Sequence, residues 1–420
     1  MVNGTNTEGR TVAIVTFGCK VNQVESQGLR EAIVRRGWLE VDPDDGADVY
    51  VINTCTVTQG AFKEAERTVR RLHRRFPSAE FTITGCAADS NRRDFEGLGG
   101  VTRVVTHDEK SSLPLYLDDP RLTARDLSSI FDLKISAFDS HTRAFLKVQD
   151  GCSLNCSFCV IPMVRGRSVS RPIGDCVEEA RRLADNGYRE IVVTGVHVGS
   201  FGREHGTSLA ALFERLLAIP NVARVRLSSL EANEIHDALL DVMASSGGRF
   251  CPHLHLPLQS GDDAILRAMR RRYSRSQYLR GVERIRARVA DAAITTDVIV
   301  GFPGETEAQF ENTMDLVRRC GMSRVHIFSY SHRAGTDASR MDDLPIPVKA
   351  SRKRRLEELA AELTQSFCDT FVGREVDVLV ERGGGGYTER YLPAHIDGAR
   401  GELVNARVLS ARNGELFCVR

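Results

Sequence analysis

Residues 150–162 read DGCSLNCSFCVIP and place Cys152, Cys156 and Cys159 within eight residues, on a loop that leaves a predicted strand. Structural zinc takes four ligands, usually two Cys-x-x-Cys pairs, and the cysteine that follows, Cys176, has no partner for such a pair. A thioredoxin-like pair would leave one cysteine of the loop without a role. Three thiolates suit a four-iron cluster whose fourth iron keeps an open position. The spacing therefore favours an iron–sulfur site, with zinc and a dithiol as alternatives.

Composition limits the class of protein. The chain has 420 residues, 42% of them hydrophobic, and a formal net charge of +1, so it can bury several cores and has no global basic field. The first ten residues are polar and no 18 apolar residues run together, so we expect neither a secretory signal nor a membrane span. We therefore expect a cytoplasmic protein without a membrane partner. In that compartment eleven cysteines favour metal or redox use over disulfides.

The N-terminal region carries a second group of cysteines. Residues 11–106 alternate short apolar runs with helical stretches, which predicts an α/β domain with a mostly parallel sheet. Cys19, Cys55 and Cys86 each follow one of its first three strands. The carboxyl ends of parallel strands share one edge of a sheet, so these thiols should converge there. The pattern predicts a second cysteine site.

The rest of the chain divides into four segments. Residues 107–140 lose the alternation and are predicted to be a linker. Residues 141–345 contain six strands that alternate with helices, one of them expected at 262–272, which predicts an open, partial (β/α)6 barrel. A basic linker helix at 346–371 precedes residues 372–420, which predict a small β-barrel. The fold class is thus α/β, with an open sheet, a partial barrel and a small barrel in that order.

The cysteine loop resembles that of the radical S-adenosylmethionine (SAM) superfamily. In that superfamily SAM occupies the open iron, and an aromatic residue, here Phe158, precedes the last cysteine. The resemblance covers most of residues 11–340 and extends to the methylthiotransferases. Their motifs are similar to TFGCKVNQVES (16–26), VINTCTVT (51–58), TGC (84–86), EIVVTGVHVGSFG (190–202), RLSSLE (226–231), HLHLPLQSGDDAILRAMRRRY (253–273), DVIVGFPGET (297–306) and FSYSHRAGT (328–336). The C-terminal barrel is similar to their TRAM domain, which has an oligonucleotide-binding-type fold.

The resemblance implies an activity. The strings GCKVNQ and NTCTVT look most like the enzymes that add a methylthio group at C2 of N6-threonylcarbamoyladenosine at tRNA position 37. It implies two 4Fe-4S clusters, of which an auxiliary one holds the sulfur to be transferred. One SAM would methylate that sulfur, and a second would give the 5′-deoxyadenosyl radical that abstracts the C2 hydrogen. The implied partners are tRNA, a flavodoxin- or ferredoxin-like electron donor and a sulfur donor.

The same resemblance implies roles for individual residues. The SAM cluster would be held by the loop cysteines and the auxiliary cluster by Cys19, Cys55 and Cys86. No catalytic side chain beyond these ligands is expected. Residues implied to approach SAM are Phe158, Gly195, Ser228, Ser229, Glu231, Gly301, Pro303 and Gly304. For each glycine or serine taken singly, a tight turn or a helix cap is the alternative.

One local run of charge stands out. Residues 267–288 contain nine arginines and a single acid, Glu283. Such a run indicates either a solvated helix face or contact with RNA. The five scattered cysteines are expected to be buried in packing, namely Cys176, Cys251, Cys320, Cys368 and Cys418.

Two other functions remain open. The first is a methylthiotransferase that acts on N6-isopentenyladenosine or on a ribosomal-protein aspartate, although the string GCKVNQ argues against it. The second, from another class, is a non-catalytic RNA-binding protein that contains zinc. Iron and sulfide analysis distinguishes the second from the first.

Overall fold

The computed structural model describes residues 9–56, 59–119, 121–122, 130–138 and 141–420. The first eight residues and parts of the predicted linker, at 120, 123–129 and 139–140, lie outside the described residues. None of the helices in the described ranges combines the length and apolar character that a membrane span requires.

Contacts divide the chain into two compact units. The first comprises Met1–Ala137, Asp150–Leu154 and Cys159–Ser168, and the second comprises Phe138–Gln149, Asn155–Phe158 and Val169–Arg420. The three-cysteine loop therefore contributes Cys152 and Cys159 to the first unit and Cys156 to the second.

The first unit is built on a parallel sheet of five strands. They are β1 (Thr11–Thr16), β2 (Leu39–Glu40), β3 (Val49–Thr54), β4 (Glu80–Gly85) and β5 (Val101–Val104), in the order β2-β1-β3-β4-β5. Its helices are α1 (Lys20–Val34), α2 (Gln59–Arg75), α3 (Cys86–Ser90), α4 (Arg92–Glu96), α5 (Leu113–Asp118) and α6 (Ile161–Arg165).

Two cores hold this sheet, because alternate residues of a strand face opposite sides. On one side Tyr50 and Ile52 of β3 pack with Val69 and Leu72 of α2. The opposite side packs α1 against the same strands through Val49, Val51, Leu29 and Ile33. Each such side chain contributes about 1.5–3 kcal/mol on burial. The central strands are thus fixed on both faces, and so are the residues at their carboxyl ends.

The second unit contains two parallel sheets of three strands each. The strands are β6 (Ala144–Lys147), β9 (Glu190–Thr194), β10 (Arg224–Leu227), β11 (His253–His255), β12 (Ala293–Val300) and β13 (Arg324–Ser329), in the orders β10-β9-β6 and β11-β12-β13. The short strands β7 (Gln149–Asp150) and β8 (Val169–Ser170) flank the cysteine loop in sequence. Isolated bridges, Val225 to Phe250 and Ser229 to His255, join the two sheets. The six strands predicted for a partial (β/α) barrel are confirmed.

The helices between these strands differ from prediction at one place. They are α7 (Ile173–Asp185), α8 (Leu209–Leu217), α9 (Asp237–Ser245), α10 (Asp263–Ala268), α11 (Arg275–Arg288) and α12 (Glu307–Cys320). The helix predicted at 262–272 is wrong in its extent, because Arg270 adopts φ +58° and ends the helical path. The next helix, α11, then begins at a capping box formed by Ser274 and Gln277.

The C-terminal region forms the predicted small barrel. Helix α13 (Ile346–Asp369) leads into β14 (Glu375–Glu381), β15 (Gly385–Thr388), β16 (Pro393–His395), β17 (Leu403–Arg412) and β18 (Glu415–Val419). These strands close in the order β14-β15-β16-β18-β17. Closure removes the exposed sheet edges that so few strands would otherwise leave.

Buried ion pairs fasten this small barrel to the central one. Glu190 Oε2 lies 2.5 Å from Arg224 Nε, and Glu190 Oε1 lies 2.7 Å from Arg226 Nε. Both arginines also donate to main-chain carbonyls of the small barrel, those of Asp377, Tyr387, Thr388 and Glu389. Burial raises the pKa of Glu190, but Arg226 and Arg224 outweigh it and hold that pKa below its ordinary value. Since Glu190 and Arg224 begin β9 and β10, the small barrel lies at the amino ends of the strands.

Candidate functional site

Three predicted ligands lie at one edge of the five-stranded sheet. Cys19 follows β1 and precedes α1, Cys55 follows β3 directly, and Cys86 follows β4 and begins α3. The strand register aligns these carboxyl ends, since β3 pairs with both β1 and β4. Cys19 is exposed, whereas Cys55 and Cys86 are buried. The fold therefore offers three thiols at the edge where parallel sheets bind ligands.

Two glycines allow the turns that deliver these cysteines. Gly18 has φ +104°, and a Cβ there would lie 2.7 Å from Cys55 Sγ. Gly85 has φ +93°, and a Cβ there would lie 2.3 Å from the carbonyl oxygen of Thr54. Both positions combine a left-handed backbone with a close approach, so only glycine satisfies them.

A buried arginine of the first unit reaches the sulfur of Cys86. Arg165 Nε donates to Cys86 Sγ at 3.0 Å. Its Nη1 atom donates to Glu25 at 2.8 Å and to Asp150 at 3.0 and 3.1 Å. Its Nη2 atom donates to Asn22 at 2.6 Å and to Glu25 at 3.2 Å. The whole guanidinium is thus engaged, with one edge on carboxylates and one nitrogen on a thiol.

Further ion pairs extend this network. Lys110 Nζ lies 2.5 Å from Glu25 Oε2, and His107 Nε2 lies 3.3 Å from Asp150 Oδ2. Candidate ligand atoms of Glu25, His107 and Asp150 all lie within 4.8 Å of one another. Both carboxylates are already paired with Arg165 or Lys110, so this group is an ion-pair network rather than a metal centre.

The network also sets two pKa values. Burial lowers the pKa of Arg165, but Glu25, Asp150 and Cys86 together raise it well above its ordinary value. Burial raises the pKa of the Cys86 thiol, and the positive charge of Arg165 opposes that rise. Arg165 therefore stays charged and favours the thiolate form of Cys86.

This network was not predicted from the sequence, although the sequence contains a signal for it. Asn22 and Glu25 are one helical turn apart on α1, and both are buried. Polar residues at helical spacing from Cys19 mark a polar site rather than a core.

A second buried arginine reaches Cys156 in the second unit. Arg271 Nη1 lies 3.5 Å from Cys156 Sγ, and the same guanidinium forms an ion pair with Glu231. Its Nε atom donates to the Tyr273 hydroxyl at 3.0 Å, and that hydroxyl donates to the Pro257 carbonyl at 2.7 Å. Burial lowers the pKa of Arg271, but Tyr273, Glu231 and Cys156 raise it well above its ordinary value. Cys156 and Glu231 are thus held by one cation.

Phe158 anchors the part of the loop that belongs to the second unit. Its ring packs against a buried apolar cluster that includes Met269, Phe302 and Tyr330. The neighbouring Ser157 donates from its main-chain nitrogen to the Met269 carbonyl at 3.1 Å. Phe302 belongs to the GFPGET turn, so this turn and the segment beside Cys156 share one core.

Ser228 offers an unused polar atom at the end of β10. Its Oγ atom is buried and has no hydrogen-bond partner among the described residues. Neighbouring Ser229 forms the isolated bridge to His255. Buried hydroxyls are normally paired, so an orphan one at a strand end suits a hydrogen bond to a ligand.

The remaining residues implied to contact SAM are explained in part by packing. A Cβ at Gly195 would lie 2.9 Å from the Gln149 carbonyl oxygen, and one at Gly301 would lie 2.3 Å from Lys349 Cγ. In the same turn Pro303 is buried and Gly304 is exposed. For Gly195 and Gly301 the tight-turn interpretation therefore accounts for the residue without a ligand.

Most arginines of the run at 267–288 pair with acceptors within the protein. Six of the run's nine arginines have acceptors within the second unit: Arg270, Arg271, Arg275, Arg284, Arg286 and Arg288. Arg267, Arg272 and Arg280 are exposed, and their guanidinium groups have no partner among the described residues. These three could contact an external anion without breaking an ion pair.

The scattered cysteines behave as packing residues. Cys176, Cys251, Cys320 and Cys368 are buried as predicted, whereas Cys418 is only partly buried and packs against the core of the small barrel. Burial raises the pKa of Cys176 to about 12 and that of Cys251 to about 11. Such thiols stay protonated and are poor metal ligands.

Comparison with known proteins agrees with this geometry. The chain matches the model of the Radical SAM superfamily over residues 146–317 and that of the uncharacterized protein family UPF0004 over residues 11–106. The first match implies a 4Fe-4S cluster and SAM.

Two relatives and one solved structure extend the comparison. The threonylcarbamoyladenosine tRNA methylthiotransferase MtaB of Chlamydia pneumoniae is 40% identical over 374 residues, which are 89% of this chain and 87% of that protein. The tRNA-2-methylthio-N(6)-dimethylallyladenosine synthase of Cereibacter sphaeroides (strain ATCC 17029 / ATH 2.4.9) is 35% identical over 430 residues, covering 97% and 98%. The radical SAM methyltransferase TsrM from Kitasatospora setae shares the fold, with a TM-score of 0.61 at 15% identity over 79% of this chain and 74% of that one. Together with the cysteine sites, these likenesses show that the chain belongs to the radical SAM methylthiotransferase family.

Proposed function

We propose that this methylthiotransferase inserts a methylthio group at C2 of N6-threonylcarbamoyladenosine at tRNA position 37. The observation that carries the proposal is the presence of two three-cysteine sets, together with the string GCKVNQ around Cys19 of the N-terminal set. Relatives named for threonylcarbamoyladenosine are 34–40% identical, and those named for dimethylallyladenosine, that is, the isopentenyl nucleoside, are 34–35% identical. The string GCKVNQ, rather than the identity, favours threonylcarbamoyladenosine here.

We infer two 4Fe-4S clusters. The ligands would be Cys152, Cys156 and Cys159 for one cluster and Cys19, Cys55 and Cys86 for the other. Three thiolates leave one iron open in each cluster. A buried guanidinium lies beside one cysteine of each set, which suits thiolate ligands.

The residues of the second unit suit SAM. When bound, the clusters and SAM supply the electron transfer, methyl donation and hydrogen abstraction needed to replace a C2–H bond by a C2–S bond. Ser228 Oγ is free to hydrogen-bond SAM, and Arg271 holds the Glu231 carboxylate in place. Phe158 fixes the backbone beside Cys156 through its apolar cluster.

The proposed partners follow from this chemistry. We infer that tRNA meets the exposed Arg267, Arg272 and Arg280, since free arginines suit phosphates. A flavodoxin- or ferredoxin-like protein would deliver electrons, and a sulfur donor would restore the sulfur that each turnover removes. A tRNA substrate places the enzyme in the cytoplasm.

Nucleoside mass spectrometry tests the substrate. Deletion of the gene should remove 2-methylthio-N6-threonylcarbamoyladenosine from cellular tRNA, and complementation should restore it. Complementation with C55A should fail. If the nucleoside persists in the deletion strain, the substrate assignment is overturned, and the isopentenyl nucleoside becomes the next target.

Metal analysis tests the two clusters. Anaerobically reconstituted protein should contain about eight irons and as many sulfides per chain. C156A should lose SAM cleavage, whereas C55A should retain cleavage and lose the methylthio product. Zinc without sulfide would contradict the iron–sulfur assignment altogether.

A further inference from the structure

We propose that Arg165 is a positioning residue of the auxiliary cluster, because its Nε–H group hydrogen-bonds Cys86 Sγ and so raises the reduction potential of that cluster. The inference rests on the proposed function, in which Cys86 is a cluster ligand.

Neighbouring hydrogen bonds fix the orientation of the Nε–H donor of Arg165. Arg165 Nε lies 3.0 Å from Cys86 Sγ, and the Arg165 side chain is 1% exposed. The guanidinium is planar and rigid, and its two other nitrogens are fixed by Glu25, Asp150 and Asn22. The carboxylates thus orient the Nε–H bond toward the sulfur.

The contact acts on the sulfur at short range. Lys110 pairs with Glu25, and Asp150 pairs with Arg165, so Arg165 is the cation that donates directly to Cys86 Sγ. Such a charge-assisted hydrogen bond gains strength in a buried environment.

A hydrogen bond to a ligand sulfur withdraws electron density from the cluster. This favours the reduced cluster, and hydrogen bonds to sulfur are among the features that set iron–sulfur potentials. Loss of the Nε–H donor should therefore lower the midpoint potential of the auxiliary cluster.

Arg165 and Asp150 lie in sequence on either side of the three-cysteine loop. Arg165 lies on α6, shortly after Cys159, and Asp150 lies shortly before Cys152. The chain segments that flank the SAM-cluster loop thus supply the donor to Cys86 and one of the carboxylates that orient it. The two flanking segments, Asp150–Leu154 and Cys159–Ser168, belong to the same unit as Cys86.

The test isolates the auxiliary cluster by removing the other one. The parent protein is the full chain with C152A, C156A and C159A. R165K, made in this parent, keeps the positive charge but cannot present the fixed Nε–H donor. The double variant E25Q/R165Q is used if R165K fails to fold. It removes one charge of each sign, so the net charge of the network is unchanged, and Lys110 and Asp150 keep their charges. R271K, the same substitution at a buried arginine that pairs with Glu231, is the matched control.

Iron and sulfide analysis comes first, followed by a redox titration monitored by electron paramagnetic resonance (EPR). The expected result is about four irons per chain in every protein. The midpoint potential should be lower and the g-values altered in both Arg165 variants, whereas R271K should match the parent.

Three results would contradict the inference, and one of them would also contradict the proposed function. Full iron content with an unchanged potential and spectrum in the Arg165 variants overturns the inference alone. Loss of iron from both Arg165 variants but not from R271K shows a merely structural role and also overturns it. A parent without any cluster overturns the auxiliary site of the proposed function, and the inference with it.

Discussion

The Nη1 atom of Arg271 lies 3.5 Å from the Sγ atom of Cys156, while the same guanidinium is paired with Glu231. One buried cation thus connects a cluster ligand of the proposed site to a carboxylate implied to approach SAM. Because the arginine is buried, its removal would leave both partners uncompensated.

We therefore expect R271M to reduce SAM cleavage by at least about tenfold, which corresponds to roughly 1.4 kcal/mol. The assay measures 5′-deoxyadenosine formed after addition of a reductant. R275M is the control, since Arg275 pairs with Asp315 and does not contact Cys156. Equal cleavage by R271M and the native enzyme would remove Arg271 from the site.

Substitution of Ser228 is expected to weaken SAM binding without lowering the stability of the protein. Its buried hydroxyl lacks a partner among the described residues, so S228A should leave the free energy of unfolding unchanged or slightly higher. SAM should bind about five to tenfold more weakly to S228A, the equivalent of one hydrogen bond of about 1–1.4 kcal/mol.

The matched control for Ser228 is S323A. The Ser323 hydroxyl is buried and donates to the Ile294 carbonyl at 3.0 Å. Its removal should cost about 1 kcal/mol of stability and leave SAM affinity intact. Native-like SAM affinity in S228A would exclude a contact between Ser228 and SAM.

Glu190 gives a pH-dependent prediction about the C-terminal barrel. E190Q would leave Arg224 and Arg226 buried without their carboxylate and should lower stability by about 3–5 kcal/mol. Because the folded-state pKa of Glu190 is lowered, its contribution is complete above the ordinary value of 4.5 and is lost progressively as the pH falls below it.

Denaturant unfolding of native protein and E190Q, compared at neutral pH and at successively lower pH below 4.5, checks this. The difference between the two proteins should shrink as the pH falls. A difference that grows on acidification would contradict the direction of the pKa shift.

Arg267 and Arg272 test the proposed tRNA surface. Both are exposed and unpartnered in the described structure, and Arg272 adjoins the arginine that contacts Cys156. R267E/R272E should weaken tRNA binding and reduce the slope of log K against log salt by about one for each phosphate that the variant no longer neutralises.

The control for this surface is R318E. Arg318 is exposed near the end of α12, shortly before β13 begins, and so lies toward the amino ends of the strands of the second unit, away from Cys156. A filter-binding assay across salt concentrations compares the three proteins. Equal losses of affinity in R318E and R267E/R272E would indicate a general charge effect rather than a tRNA surface.

Most strands of both units, and the cysteines at the ends of two of them, can be predicted from the sequence. Cys55 and Cys86 directly follow apolar runs bounded by turn residues, so the strand ends that carry them can be predicted. The six barrel strands are visible for the same reason, because each is a short apolar run, and all but the final strand precede a helical pattern.

The buried charges could not be predicted in this way. Glu25, Lys110 and Arg165 are distant in sequence, and each would be assigned to a surface from its residue type alone. Helix α11 was missed because its arginines suggested one solvated run, whereas the positive φ of Arg270 divides that run. Pairing partners and local backbone breaks depend on tertiary contacts, which periodicity does not encode.

The most direct test of the account follows the C2 hydrogen. Purified, reconstituted enzyme would receive SAM, a reductant and an anticodon stem–loop RNA whose N6-threonylcarbamoyladenosine carries deuterium at C2, with both products analysed by mass spectrometry. We expect 5′-deoxyadenosine to gain one deuterium and the methylthio nucleoside to have lost it. Methylthio product formed beside unlabelled 5′-deoxyadenosine, or no product from this RNA, would contradict the proposed reaction.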